Sequence, residues 1–261
     1  MAGTAGTATR RVPTAGTVTA TGRATASAAS SRTSSADRTT LLDLKICPGC
    51  GDRADVPTVE QGRLVCLRCE HRWAFHRLPL FALTGPSGGG KSTVGPALAR
   101  RLAGEAVVLE QDVLWTGGLR DDVDGHPLFR STWLRMAAMI HQNGRPVVLC
   151  GTVVPPEFEP LPERVFFSGI HYLALVAEPE VLTARLRARP AWREWDEPRI
   201  AEMLEFNDWL RAEAATMSPP VALFDTTDAP LEAAVDHVAA WVRRVASAAR
   251  RSGSPGAALK R

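Results

Sequence analysis

A chain of 261 residues leaves room for one large domain, or for a medium one with appendages. Apolar residues make up 45% of it, and no apolar run approaches the roughly 20 residues of a membrane span. The net charge of +3 is unevenly placed: residues 1–40 hold five Arg and one Asp, residues 243–261 hold six basic residues and no acid, and the stretch between holds 20 basic against 27 acidic residues. The positive charge belongs to the two ends, which argues against a nucleic-acid-binding body.

Residues 1–40 are almost wholly Ala, Thr, Ser, Gly and Arg. Such a segment has no apolar face to bury and reads as a disordered tail. Its arginine-rich, acid-poor composition is also that of an organelle transit peptide, but it lacks amphipathic periodicity, and no apolar core of a secretory signal is visible.

Next come Cys47-Pro48-Gly49-Cys50 and Cys66-Leu67-Arg68-Cys69, with fifteen residues between the pairs. This C-x₂-C-x₁₅-C-x₂-C spacing is that of a zinc site rather than of disulfides in a reducing, cytoplasmic setting. Four thiolates fill a tetrahedral shell, so a Zn²⁺ held by Cys47, Cys50, Cys66 and Cys69 would be structural. Val59 and Leu64-Val65 would supply short strands of a zinc ribbon over residues 44–77, while Trp73 and Phe75 would pack it. His71 and His76 are alternative ligands that four cysteines make unnecessary. About thirty-five residues cannot bury a core of their own, so the metal would supply the folding energy. With the short linker Arg77-Leu78-Pro79, the ribbon is expected at the amino end of the first core strand, and a chain starting near Leu78 is expected to keep its binding function without the ribbon.

From Leu78 the pattern alternates strand and helix. The apolar run Leu80–Thr84 leads into Gly85-Pro86-Ser87-Gly88-Gly89-Gly90-Lys91-Ser92-Thr93, which fits G-x-x-x-x-G-K-[ST], the P-loop. Helical spacing follows from Ser92 to Leu102, although Pro96 deletes one hydrogen bond and predicts a kink or a looser first turn. Strand, glycine loop and helix together make an anion cradle for a nucleoside triphosphate. Further strands are expected at 106–110, 145–151, 171–176 and 221–225, and helices at 129–142, 178–187, 199–215 and 231–246. The strands are continuous apolar runs, as a parallel sheet covered on both faces requires. The fold class is therefore α/β, a doubly wound five-stranded parallel sheet over residues 78–246, preceded by the ribbon and followed by a basic tail at 247–261. Cys150 lies inside a strand and reads as a small packed hydrophobe.

Ligands of such sheets gather at the carboxyl ends of the strands. There the chain places the P-loop, Glu110 and Asp112, Gly151-Thr152, the arginines 185, 187, 189 and 193, and Asp225-Thr226-Thr227. These motifs resemble the small-metabolite kinases of the nucleoside-monophosphate-kinase type, particularly shikimate and gluconate kinases, over about residues 80–245. The resemblance implies that Glu110-Gln111-Asp112 serves Mg²⁺ and the acceptor hydroxyl, and that Cys150-Gly151-Thr152 lines the acceptor. It implies too that Arg185-Leu186-Arg187-Ala188-Arg189-Pro190 is a lid, and that Asp225-Thr226-Thr227-Asp228 sits beside the adenine. Two departures stand out: Glu110 replaces the usual first aspartate, and the third strand lacks a full glycine run.

The expected chemistry is transfer of the γ-phosphoryl of ATP to a hydroxyl of a small metabolite or nucleoside. Asp112 would be the general base, with Lys91 and Arg189 neutralising charge on the transferred group and Ser92 and Glu110 serving Mg²⁺. Arg185, Asp225 and Thr226 would join the P-loop in holding the nucleotide. Trp115 and Trp192 fall on the acceptor side and could cover a ring-shaped substrate. A different reading, an NTP-gated regulatory ATPase whose ribbon recruits nucleic acid or a partner, rests on the ribbon and the basic tails.

Overall fold

The computed structural model describes residues 42–116 and 125–252. The reading of residues 1–40 as a disordered tail lies outside them, as does the end of the basic tail. Three short antiparallel strands come first: β1 (Thr58–Glu60), β2 (Arg63–Val65) and β3 (Arg72–Trp73). Gln61 and Gly62 join β1 to β2 with φ of 49° and 75°, the left-handed pair a two-residue hairpin needs to match strand twist.

The main sheet contains β4 (Leu80–Thr84), β5 (Val107–Glu110), β6 (Val147–Cys150), β7 (Ile170–Val176) and β8 (Val221–Asp225). All pairings are parallel and the order is β5-β6-β4-β7-β8, so the P-loop strand is central. Alternation along β4 divides the core. Leu80 and Ala82 face one layer with α2 (Pro127–His141), α3 (Pro155–Phe158) and α5 (Glu197–Glu213). Phe81 and Leu83 face the other, with α1 (Lys91–Arg101) and α6 (Leu231–Ser252). The remaining helix, α4 (Pro179–Arg187), follows β7.

Several details depart from the sequence pattern. The α1 helix runs through Pro96 without interruption, because Pro96 is exposed and its missing hydrogen bond falls on the solvent side. The α6 helix continues to Ser252 rather than stopping at 246. Residues 247–252 are Ser, Ala and Arg without a helix breaker before Gly253. The four-residue α3 and the 3₁₀ turns Gln111–Leu114, Pro162–Phe166 and Ala191–Arg193 are too short to show a period.

The ribbon docks where the linker suggested. Ser168 N–H donates to Leu78 O at 3.2 Å and Leu80 N–H to Gly169 O at 3.0 Å, placing it at the amino end of β4 and β7. Leu44 and Leu64 are buried in the same layer as Trp133 and Phe166, with Val59, Trp73 and Phe75 packed against them. Lys45 Nζ meets Glu163 at 3.2 Å, with both side chains almost fully buried. The ribbon therefore completes the core, and a chain starting at Leu78 would leave Glu163 buried without its cation, a costly state.

Candidate functional site

At the end of β4 the backbone of Gly85 adopts φ of 129°, and a Cβ there would lie 2.2 Å from Leu175 O. Only glycine lets the loop pass the end of β7 so closely. The N-cap of α1, Gly90, offers no side-chain cap, which leaves the first amides of the helix directed at the cleft. Lys91 folds back over the loop, its Nζ donating to Gly85 O at 2.6 Å and Pro86 O at 3.0 Å. Burial lowers its pKa to about 8, against the upward pull of Glu110 and Asp112. Ser87 N–H donates to Met203 Sδ of α5 at 3.4 Å, tying the loop to the helix that follows the lid.

The second wall forms where β5 ends. Glu110 is its last residue, and the following 3₁₀ turn carries Asp112. That turn is pressed on the end of β6: a Cβ on Gly151 would lie 2.2 Å from Gln111 Oε1. Burial and the neighbouring Asp112 both raise the Glu110 pKa, so the two carboxylates repel unless a cation joins them. A hydroxyl at Ser92 and a carboxylate at Glu110 are the hard oxygen donors that Mg²⁺ takes.

The third wall is the lid. Arg185 on α4 donates to Thr226 Oγ1 (3.0 Å), Thr226 O (2.7 Å), Gly88 O (3.3 Å) and Thr227 O (3.4 Å), joining P-loop, α4 and the turn after β8. Arg189 is half-buried: burial and Arg193 lower its pKa, and the field of Asp112 raises it. Lys91, Ser92, Thr93, Glu110, Asp112, Arg185, Arg189 and Thr226 all line one cleft of about 1190 Å³, together with Ser87, Gly88, Gly90, Gly151 and Thr152. Gly85, Pro86 and Gly89 lie behind it. Asp225 does not line it. Its carboxylate accepts from Thr227 N–H (2.8 Å) and Arg211 (2.6 Å), so it shapes the turn that presents Thr226.

Trp115 and Trp192 both line the cleft, as the pattern suggested. Sequence reasoning missed Arg130, which also lines it and pairs with Glu157 at 2.6 Å. The signal was available: Arg130 stands three and four residues before Trp133 and Leu134, a cation on the apolar face of α2.

Away from the cleft, the four ribbon cysteines converge, their sulfurs lying within 4.8 Å of one another. Cys47 and Cys69 Sγ are 3.7 Å apart, as are Cys50 and Cys66 Sγ. A tetrahedron with Zn–S bonds of about 2.3 Å has edges of about 3.8 Å, so the donor set fits such an ion. His71 stacks on Trp73, with ring centroids 5.9 Å apart, and is no part of this cluster.

A P-loop on the central strand of a 2-3-1-4-5 parallel sheet with helices on both faces defines a P-loop NTPase fold. A family model described as an AAA domain matches residues 82–209. A shikimate kinase of Chlorobaculum tepidum is 36% identical over 142 residues, covering 48% of this chain and 73% of the relative. One from Chlorobaculum parvum is 33% identical over 142 residues, covering 48% and 75%. A gluconokinase structure from Sinorhizobium meliloti 1021 superposes with a TM-score of 0.47 at 21% identity, over 68% of this chain and 99% of that one. The chain belongs to the P-loop small-metabolite kinase family. No helix among the described residues is long and apolar enough to cross a membrane.

Proposed function

We propose that the protein is an ATP-dependent kinase that moves the γ-phosphoryl group to a hydroxyl of a small metabolite or nucleoside. The observation that carries this reading is the convergence of Lys91, Asp112 and Arg189 on one cleft beside an uncapped helix N-terminus. Asp112, exposed at the cleft wall, accepts the proton of the acceptor hydroxyl. The loop amides and Lys91 hold the phosphates, and Lys91 exchanges its two carbonyl contacts for phosphate oxygens. Arg189 neutralises charge that builds up on the transferred group. Ser92 and Glu110 would hold Mg²⁺, which when bound would neutralise charge on the nucleotide phosphates. Thr226 and Arg185 border the base. Zn²⁺ on Cys47, Cys50, Cys66 and Cys69 is structural, since four thiolates leave no open position and the ribbon sits at the opposite end of the sheet.

The test is a screen of hydroxyl compounds, shikimate and gluconate among them, for acceptor-dependent ADP release. A kinase shows turnover above the water background with at least one acceptor, and loses it in Asp112→Asn. Absence of any acceptor response, with Asp112→Asn unchanged, sinks the reading.

A further inference from the structure

The lid carries more aromatic surface than a phosphate clamp needs, and two of its residues have no part in the chemistry above. Trp195 stands just before the N-cap of α5 and lines the cleft. The guanidinium carbon of Arg189 lies 5.4 Å from its ring centroid and that of Arg199 lies 4.6 Å from it. One indole thus serves two cations. Its Nε1 is buried and has no hydrogen-bond partner among the described residues, so the ring and not the N–H group is what matters locally. Trp192 differs: it is 72% exposed, with Arg193 over its ring at 4.5 Å.

Arg199 fixes where that indole stands. Its Nη1 donates to Arg193 O at 2.9 Å and Glu194 O at 2.6 Å, satisfying two carbonyls of the short 3₁₀ turn. Glu194, which closes this turn, has φ of 53°, a conformation a non-glycine residue holds only when its surroundings enforce it. The backbone N–H of Arg199 donates to Asp196 Oδ1 at 3.0 Å, so the same residue takes the N-cap bond of α5. Arg187 and Glu197 pair at 2.8 Å and close the loop from its other side. The lid is therefore braced against the first turn of a seventeen-residue helix.

We infer that Trp195 and Arg199 are positioning residues: Arg199 pins the lid turn to α5, and Trp195, held in place by it, keeps the Arg189 guanidinium turned into the cleft toward Asp112. The inference rests on the kinase reading for its consequence, and on these contacts for its mechanism. A lysine cannot replace Arg199, because an ammonium lacks the planar fork that stacks on the ring and bonds two carbonyls together. A phenylalanine can largely replace Trp195, because it keeps a face for the cation.

The experiment uses the full-length chain with MgATP and water as acceptor, so that no unidentified substrate is needed. Trp195→Ala and Arg199→Ala should lower kcat about 10-fold to 100-fold, as misplacement of a clamp does. The KM for MgATP should stay within about twofold, because the loop and Lys91 are untouched. Trp195→Phe should recover most of the rate and Arg199→Lys little. In an Arg189→Ala background, Trp195→Ala and Arg199→Ala should cost nothing further, since they act through that residue. Normal kcat in Trp195→Ala, or a full loss persisting without Arg189, overturns the inference; persistence for Arg199→Ala alone would mean Arg199 contacts the phosphates itself. Limited trypsin digestion with a non-hydrolysable ATP analogue reads the brace without catalysis. Cleavage after Arg187 and Arg193 should quicken in Arg199→Ala at unchanged melting temperature, and unchanged cleavage refutes the brace. A wild-type protein that turns over no ATP under any condition would sink the kinase reading instead, while digestion still decides the brace.

Discussion

The last residue of α2 and the first of β6 are joined by one hydrogen bond, from the Val147 N–H to His141 Nε2 at 3.1 Å. The bond requires a neutral imidazole, because a protonated ring has no acceptor nitrogen. Burial, with a small contribution from His76, pushes the His141 pKa down to about 3. The unfolded chain takes up this proton near the ordinary pKa of 6.5, while the folded one does not. Stability is therefore fully present above about pH 6.5 and falls as pH drops toward 3, by about 1.4 kcal/mol per unit. Urea melts between pH 7 and 4 should show this slope, and His141→Gln should flatten it.

Lys91 sets a limit at the other end of the scale. Its folded pKa of about 8 lies below the usual 10.5, chiefly because the loop buries it. In the free protein its charge is lost as pH rises through 8, so kcat/KM for MgATP should fall above that point. Bound phosphates favour the ammonium, so kcat should hold to higher pH. Because the unfolded chain keeps its proton longer, folding stability should rise between about pH 8 and 10, opposite in sign to the activity.

Asp112→Asn should lower acceptor-dependent turnover about 10²- to 10⁴-fold, the usual contribution of a positioned base. Nucleotide binding, measured by fluorescence titration, should be retained. The same change removes a charge that raises the Glu110 pKa, so Mg²⁺ should be taken up at lower pH.

Metal analysis should return about one zinc per chain, and Cys66→Ser should release it. The ribbon supplies Leu64 to the main core, so loss of metal should lower the melting temperature of the whole protein rather than of residues 44–77 alone. ATP binding should persist below the new melting point, since the P-loop lies at the other end of the sheet.

The sheet, the loop and the two cysteine pairs were legible because each depends on short-range pattern: apolar runs, glycine spacing, C-x-x-C. What the pattern could not show is long-range. Asp225 reads as a nucleotide contact until Arg211, fourteen residues away, is seen to hold it. The partner of Arg130, Glu157, stands on α3, beyond the reach of any local pattern. The ribbon reads as an appendage because nothing local reveals that Lys45 reaches Glu163, 118 residues on.

Arg185 already makes four hydrogen bonds before any nucleotide arrives. Four of its five N–H hydrogens point edgewise into the carbonyls of Gly88, Thr226 and Thr227 and the Thr226 hydroxyl, so what remains for a ligand is the flat of the guanidinium and the single Nε–H. A face grips by stacking and reads no donor or acceptor pattern, and every base has a face of its own. Discrimination between purines then rests on that one N–H and on the rest of the cleft. With nothing else intervening, ATP and GTP should serve as donors with KM values within about tenfold, a tolerance written into the plane of one side chain.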